Sequence, residues 1–300
     1  MTTDSTPTRS PIVIVGYGDI ARRLAARLPD HDIVAIARHE PESPIGHSGG
    51  WQGLAHDLDT DARPTVADRP GAIWIYLAPP AREGSEDTRM ARWVAGDHAA
   101  PTGVVYASTT GVYGNHQGGW VDESTPPQPS HERGKRRLDA EQRLGSFCHD
   151  RDIPLTVLRV TGIYACDRLP LAKLRENAPV PAGPEAPWSN RIHAEDLADI
   201  LVRLIERIEG GEASGGTFNV SDNHPTPVNV VYRQIAAHFG LPQPPEEPLD
   251  TVLARSSPMA REFLNDSRRV DASAIQRFLD WQPRYPRLAA ALADCPRAAG

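Results

Sequence analysis

Cysteine is scarce: the 300-residue chain has three, Cys148, Cys166 and Cys295, far apart, odd in number and without a CxxC pair. That pattern argues against a disulfide framework or a zinc site, so buried free thiols and no bound metal are expected. A basic excess is also missing. The formal net charge is −7, with arginines interspersed among acids. A nucleic-acid partner held through its phosphates would need a basic footprint, so none is expected. No apolar run approaches the length of a membrane span, and no membrane partner is expected. Residues 1–10 lack the charged-then-apolar pattern of a leader and read as a disordered tail of a cytoplasmic protein.

What is present is an alternation of strands and helices. Ile12–Val15 is short, β-branched and apolar, as a strand buried on both faces should be. Helical spacing follows over Ala21–Leu28, then a second strand at Ile33–Ala37. Further strands are expected at Ala72–Leu77, Gly103–Ala107 and Leu155–Arg159, with helices over Met90–Ala100 and Arg133–Cys148. Such alternation implies an α/β fold with a doubly wound parallel sheet. The second half differs. Proline-rich loops are expected near 178–188 and 241–249, with helices at Glu195–Ile208, Val228–Phe239 and Ala272–Leu279. The chain divides on this reading into a dinucleotide-binding domain over 11–165 and a smaller substrate-binding cap over 166–300, with 189–209 returning to the core.

Gly16-x-Gly18-x-x-Ala21 lies between the first strand and the first helix. This is the context in which a glycine turn cradles a pyrophosphate: one glycine for the turn, one for close backbone approach, a small residue for helix packing. Gly16, Tyr17, Gly18, Asp19 and Ile20 are therefore candidate cofactor contacts. At the end of the second strand stands Arg38, where an acid would bind the ribose hydroxyls of NAD. An arginine suits a 2′-phosphate, so NADP is expected, with NAD second. Asp57 and Leu58 follow the third strand, where Asp57 either reaches the adenine or forms a turn. Leu77, Ala78 and Pro79, at the end of the next strand, complete the expected cofactor contacts.

Tyr106-Ala107-Ser108-Thr109-Thr110-Gly111-Val112-Tyr113-Gly114 resembles the Ser/Thr cluster and Val-Tyr-Gly of the extended short-chain dehydrogenase/reductases, the NAD-dependent epimerase/dehydratase superfamily. Leu158–Tyr164, Arg191–Ala198 and Trp281–Tyr285 resemble three further segments of that family, in order. Ser130-His131-Glu132-Arg133-Gly134-Lys135 is most similar to an atypical, YeeZ-like branch that lacks the catalytic tyrosine motif. The resemblance implies a Rossmann fold and hydride transfer or epimerisation on a carbonyl or hydroxyl of a polar metabolite. It implies Thr109 as the substrate-oxygen ligand and Lys135 as the cation at the nicotinamide ribose. His131 stands four residues before Lys135, where the family has tyrosine, and reads either as a proton carrier or as a first-turn surface residue beside a Ser130 cap. Tyr113 is another candidate donor, although the family pattern gives it mainly a packing role. Ser108, Thr110, Tyr164 and Arg191 are expected to face the substrate, Arg191 holding an anionic group. His116 lies in the glycine-rich, mobile-looking segment Asn115–Trp120, which could cover a substrate. A homodimer through the long helix is also implied. The missing tyrosine keeps open a non-catalytic alternative, an NADP(H)-binding sensor or partner-binding protein.

Overall fold

A computed structural model describes residues 9–96, 99–212 and 215–296. Most of the expected tail, residues 1–8, lies outside the described residues. Its last two residues are tied down rather than disordered: Arg9 pairs with Asp30 at 3.2 Å, and Ser10 N–H donates to Glu209.

Seven strands form the central sheet: β1 (Ile12–Val15), β2 (Ile33–Ala37), β3 (Trp51–Ala55), β4 (Ile73–Tyr76), β5 (Gly103–Thr109), β6 (Leu155–Val160) and β7 (Gly216–Val220). Their order is β7-β6-β5-β4-β1-β2-β3. β1 pairs in parallel with β2 and β4, β2 with β3, and β4 with β5. The direction of winding therefore reverses beside β1, where β2 lies on one flank and β4 on the other. In such sheets ligands bind beyond the carboxyl ends of the strands at the reversal. This is the Rossmann fold that the strand–helix alternation predicts.

The main helices are α1 (Asp19–Ala25), α2 (Thr88–Val94), α3 (Glu132–His149), α4 (Ala194–Glu209) and α5 (Val228–Phe239). α2 is earlier and shorter than the periodicity suggests. Asp87 caps it by accepting from Arg89 and Met90 N–H, and Gly96 turns the chain away at φ +90°. Residues 97–98 of that expected helix lie outside the described ones. The two proline-rich loops are not wholly irregular: Val180–Pro181 pairs with Glu246–Glu247, and Trp188–Ser189 with Thr226–Pro227. Helices at Leu249–Arg255, Pro258–Asn265 and Leu288–Ala293 escaped the sequence reading.

Two compact units emerge. One contains the chain up to Ser108, Lys135–Leu158 and Leu197–Thr217; the other contains Thr109–Gly134, Arg159–Asp196 and the chain from Phe218. The first is built on a core of β-strand residues packed with Ala140, Leu144 and Phe147 of α3. Within it Arg63 lies 4.5 Å over the Trp74 ring and pairs with Asp68 at 3.0 Å. The second unit has its own core, around Tyr164, Ile235 and Leu288.

The expectation of free thiols fails for two of the three cysteines. Cys166 and Cys295 form a disulfide across 129 residues of sequence, both in the second unit. An odd count and wide spacing do not exclude one pair, because tertiary packing, not sequence distance, brings Cα atoms within bonding range. Cys148 is the remaining free thiol; it is buried, and burial pushes it up to about 12. Among the described residues no helix is long and apolar enough to cross a membrane.

Candidate cofactor and substrate sites

The glycine turn is held by the strands beneath it. Gly16 and Tyr17 N–H both donate to Ile36 O, at 2.9 and 3.1 Å. Gly16 has φ +91°, and a Cβ there would lie 2.5 Å from Ala78 N. No side chain fits, so the protein's own packing explains this glycine. Gly18 is different. Its backbone is extended, and a Cβ there would meet nothing within 4 Å. Neither φ nor neighbouring atoms require glycine at 18, so what it leaves open is a way in to the backbone for something else. Asp19, at the start of α1, keeps its carboxylate on Arg23 at 3.2 Å. Ile20 follows in the same first turn and is half-buried. Tyr17 is half-buried, its ring edge-on to Trp51 at 5.5 Å.

Arg38 is exposed just beyond β2. It and Arg82 both act electrostatically on Asp59, whose carboxylate is taken by Arg89 through two bonds of 2.6 Å. Asp57 forms the turn that was its alternative role: its Oδ1 accepts from Asp59 N–H at 2.9 Å. Leu58 packs against the core, and its carbonyl accepts from Arg92. Leu77 N–H donates to Val15 O, which sets the end of β4 beside β1. Ala78 is buried beneath Gly16, and the carbonyl of Pro79 accepts from Arg89.

The long helix delivers a cation that sequence reading missed. Lys135 is exposed. Arg137 is 8% exposed, and its Nη1 donates to Ala78 O, Tyr106 Oη and Ala107 O at 3.1, 3.1 and 2.9 Å. These oxygens lie at the carboxyl ends of β4 and β5. All three are neutral, and Arg137 Nε is buried without a hydrogen bond. The signal was in the sequence: Arg137 stands three residues before Ala140 and seven before Leu144, on the stripe that faces the core. Beside it Ser108 Oγ donates to Glu141, so that hydroxyl is already engaged.

In the second unit Thr109 Oγ1 accepts from Gly111 N–H at 3.1 Å, capping the short turn Thr110–Tyr113, in which Thr110 is buried. Tyr113 is fully engaged: its Oη donates to Asn219 at 2.8 Å and accepts from Arg159 at 3.1 Å. Burial raises its pKa, and it serves packing. The segment around His116 is pinned rather than mobile. His116 and Gly118 N–H donate to Ser267 O, and Trp120–Val121 pairs with Arg269–Val270. His131 precedes α3 and is not a bare surface residue: its Nε2 lies 3.5 Å from Asp266, which also pairs with buried Arg268 at 3.3 Å. Ser130 Oγ accepts from Asn115 N–H instead of serving only the helix.

Tyr164 and Arg191 stand on a two-stranded ribbon, Gly162–Tyr164 paired in parallel with Arg191–His193. Arg191 is 7% exposed and donates to Ser189 Oγ at 3.0 Å. Near it Asp222 is pushed up to about 7, by burial first of all. Asp222 was not singled out from sequence; a Ser-Asp pair after a strand carries no local signal beyond a turn.

No protein-family model and no curated protein matches this chain. Solved structures do. One is a conserved protein of unknown function from Silicibacter pomeroyi DSS: 28% identity, 95% of this chain and 99% of that one, TM-score 0.75. Another, assigned as an NAD-dependent epimerase/dehydratase, is from Methylobacillus flagellatus: 25% identity, 95% and 97% of the two chains, TM-score 0.70. A third is UDP-glucuronic acid 4-epimerase from Bacillus cereus in complex with NAD, at 16% identity, 94% of each chain and TM-score 0.71; at that identity it speaks for the fold alone.

Proposed function

We propose, from the premise that this chain is an extended short-chain dehydrogenase/reductase-like protein, that it binds NADP(H) and acts as an oxidoreductase or epimerase on a carbonyl or hydroxyl of a polar metabolite. The observation that carries the reading is Gly18. Gly16 is demanded by the fold, but the open space above Gly18 is explained by a ligand that must approach the backbone closely. Arg38, exposed just beyond β2 where a bare ribose would usually meet a carboxylate, favours a 2′-phosphate. Gly16, Tyr17, Gly18, Asp19 and Ile20 would border the pyrophosphate, and Leu77, Ala78 and Pro79 its nicotinamide side. Arg137 takes the place first given to Lys135: a permanent cation fixed at the strand ends and able to donate to a ribose or phosphate oxygen.

A bound nicotinamide would supply or accept the hydride. The chain's part is to hold the substrate and handle one proton. Thr109 can donate to a substrate oxygen while its own oxygen accepts from Gly111. His131 is the better proton carrier of the two candidates, because Tyr113 is locked and raised. Asp266 lies 3.5 Å from His131 Nε2 and is the acid that would orient the ring. The alternative, an NADP(H) sensor, rests on the absent tyrosine. A homodimer through α3 belongs to the same reading and is checked by sedimentation.

The test is a titration with NADPH, NADP⁺, NADH and NAD⁺, followed by heat and tryptophan fluorescence. Tighter binding of the NADP forms, weakened in Arg38→Ala, is expected. Binding of the NAD forms alone removes the role of Arg38, and binding of none removes the reading. Turnover in a carbonyl screen that is lost in His131→Ala but retained in Tyr113→Phe supports the enzyme. NADP(H) binding with no turnover, together with a partner captured only in its presence, supports the sensor.

A further inference from the structure

Among the buried polar atoms of the second unit that make no hydrogen bond within the protein are Tyr164 Oη, Arg191 Nε and Asp222 Oδ2. Their residues are 6%, 7% and 4% exposed, so water outside does not serve them. A buried polar group left unserved destabilises the fold, and a charged one more so. The three belong together. Arg191 and Asp222 act on each other electrostatically, and both act on Tyr164.

The fold places them. In the parallel ribbon Arg191 stands opposite Gly162 and His193 opposite Tyr164. Residues in register share a face, so Arg191, His193 and Tyr164 look the same way. Gly162 offers no side chain; a Cβ there would sit 4.0 Å from Arg191 Cγ and 3.2 Å from Asn190 O. The His193 ring fills the side next to Tyr164, at 5.1 Å, and Tyr285 covers it at 4.1 Å. Asp222 is brought in by its own N–H, which donates to Arg191 O at 2.6 Å, and its Oδ1 is turned to His224 N–H at 2.9 Å. What remains is one guanidinium N–H, one phenol and one carboxyl oxygen, with no ion pair to Arg191 among the described residues.

We propose that Arg191, Tyr164 and Asp222 form a subsite for a carboxylate of the substrate. It rests on the oxidoreductase or epimerase reading and names the substrate class: a polar carbonyl or hydroxyl compound that also bears a carboxylate. Charge decides between oxyanions. The subsite holds one cation, and its carboxyl is held largely protonated below about 7. A monoanion balances the guanidinium, accepts from Arg191 Nε and Tyr164 Oη, and shares the Asp222 proton. A dianionic phosphate would meet one cation and a carboxyl unable to ionise beside it.

The probes are glycolate, its neutral isostere glycolamide and inorganic phosphate, each titrated by calorimetry near pH 6.5. The protein is the full chain as wild type, Arg191→Met and Tyr164→Phe. The subsite predicts glycolate binding without glycolamide binding, a loss of about tenfold or more in Arg191→Met, and a smaller loss in Tyr164→Phe, which keeps the ring and so the packing. Equal response to glycolate and glycolamide, phosphate binding tighter than glycolate, or unchanged glycolate binding in both variants overturns it. NADPH titrated into the same samples separates the two claims. Wild type that binds glycolate but no dinucleotide sinks the function reading and leaves the subsite standing. Wild type that binds NADPH but no glycolate does the reverse.

Discussion

Arg63 and Arg137 are both buried in the first unit, and the fold treats them differently. Arg63 has a carboxylate, Asp68 at 3.0 Å, and the face of Trp74. Arg137 has three neutral oxygens at the ends of β4 and β5. A buried charge is costly unless paired, so a guanidinium that the fold needs for itself brings its counter-ion, as Arg63 does. Arg137 has no ion pair among the described residues, and buried Asp87 feels it only electrostatically. Arg191 repeats the pattern in the second unit. Gly16 and Gly18 make the same contrast without charge: one glycine is required by its neighbours, the other by nothing in the protein.

The largest expected effect is at Gly16. Gly16→Ala adds a Cβ 2.5 Å from Ala78 N at φ +91°, which should cost about 3 kcal/mol or more and lower the unfolding midpoint in urea accordingly. Gly18→Ala, read in the same assay, should leave stability within about 1 kcal/mol. Next comes the pair of arginines. Arg63→Met takes the guanidinium from half-buried Asp68 and from the face of Trp74, and a loss of about 2 kcal/mol is expected. Arg137→Met removes a charge whose hydrogen bonds all go to neutral oxygens. It should shift stability by less than about 1 kcal/mol while weakening dinucleotide binding, and a large loss of stability with unchanged binding would make Arg137 structural.

The glycine turn and the span of α3 were legible in the sequence, and the side chain that α3 turns inward was not. A turn such as Gly16–Ala21 is fixed by backbone freedom at adjacent positions, which a string of residues displays. The identity of the inward-facing cation on α3 depends on which stripe the core selects. The family resemblance picked Lys135, whereas Ala140 and Leu144 face the core and turn Arg137 inward. The Cys166–Cys295 pair, the Asp266 partner of His131 and the neighbourhood of Asp222 were hidden for the same reason: each joins distant segments. The strand–helix alternation, by contrast, was readable almost throughout, because full burial of a parallel strand marks every residue in it.

Asp222 gives a smaller, pH-dependent effect. Its carboxyl is raised from 3.8 to about 7 in the folded chain, so the fold binds its proton more tightly than the unfolded chain does. That contribution is full below the ordinary carboxylate range and is lost as pH rises through about 7, by roughly 1 kcal/mol per pH unit across the window. Melting temperatures between pH 4 and 8 should therefore fall less with pH in Asp222→Asn than in wild type. Smallest is Arg38→Ala. It should cost NADPH about tenfold in affinity, about 1.4 kcal/mol, and leave NADH unchanged, which competition titration would read directly.

The central claim is that the space above Gly18 belongs to a dinucleotide. The most direct measurement is NADPH binding to Gly18→Val, with its urea midpoint recorded alongside wild type. The account predicts an unchanged midpoint and binding lost by at least about a hundredfold, near 2.7 kcal/mol. A stable Gly18→Val protein that binds NADPH as wild type does would contradict it.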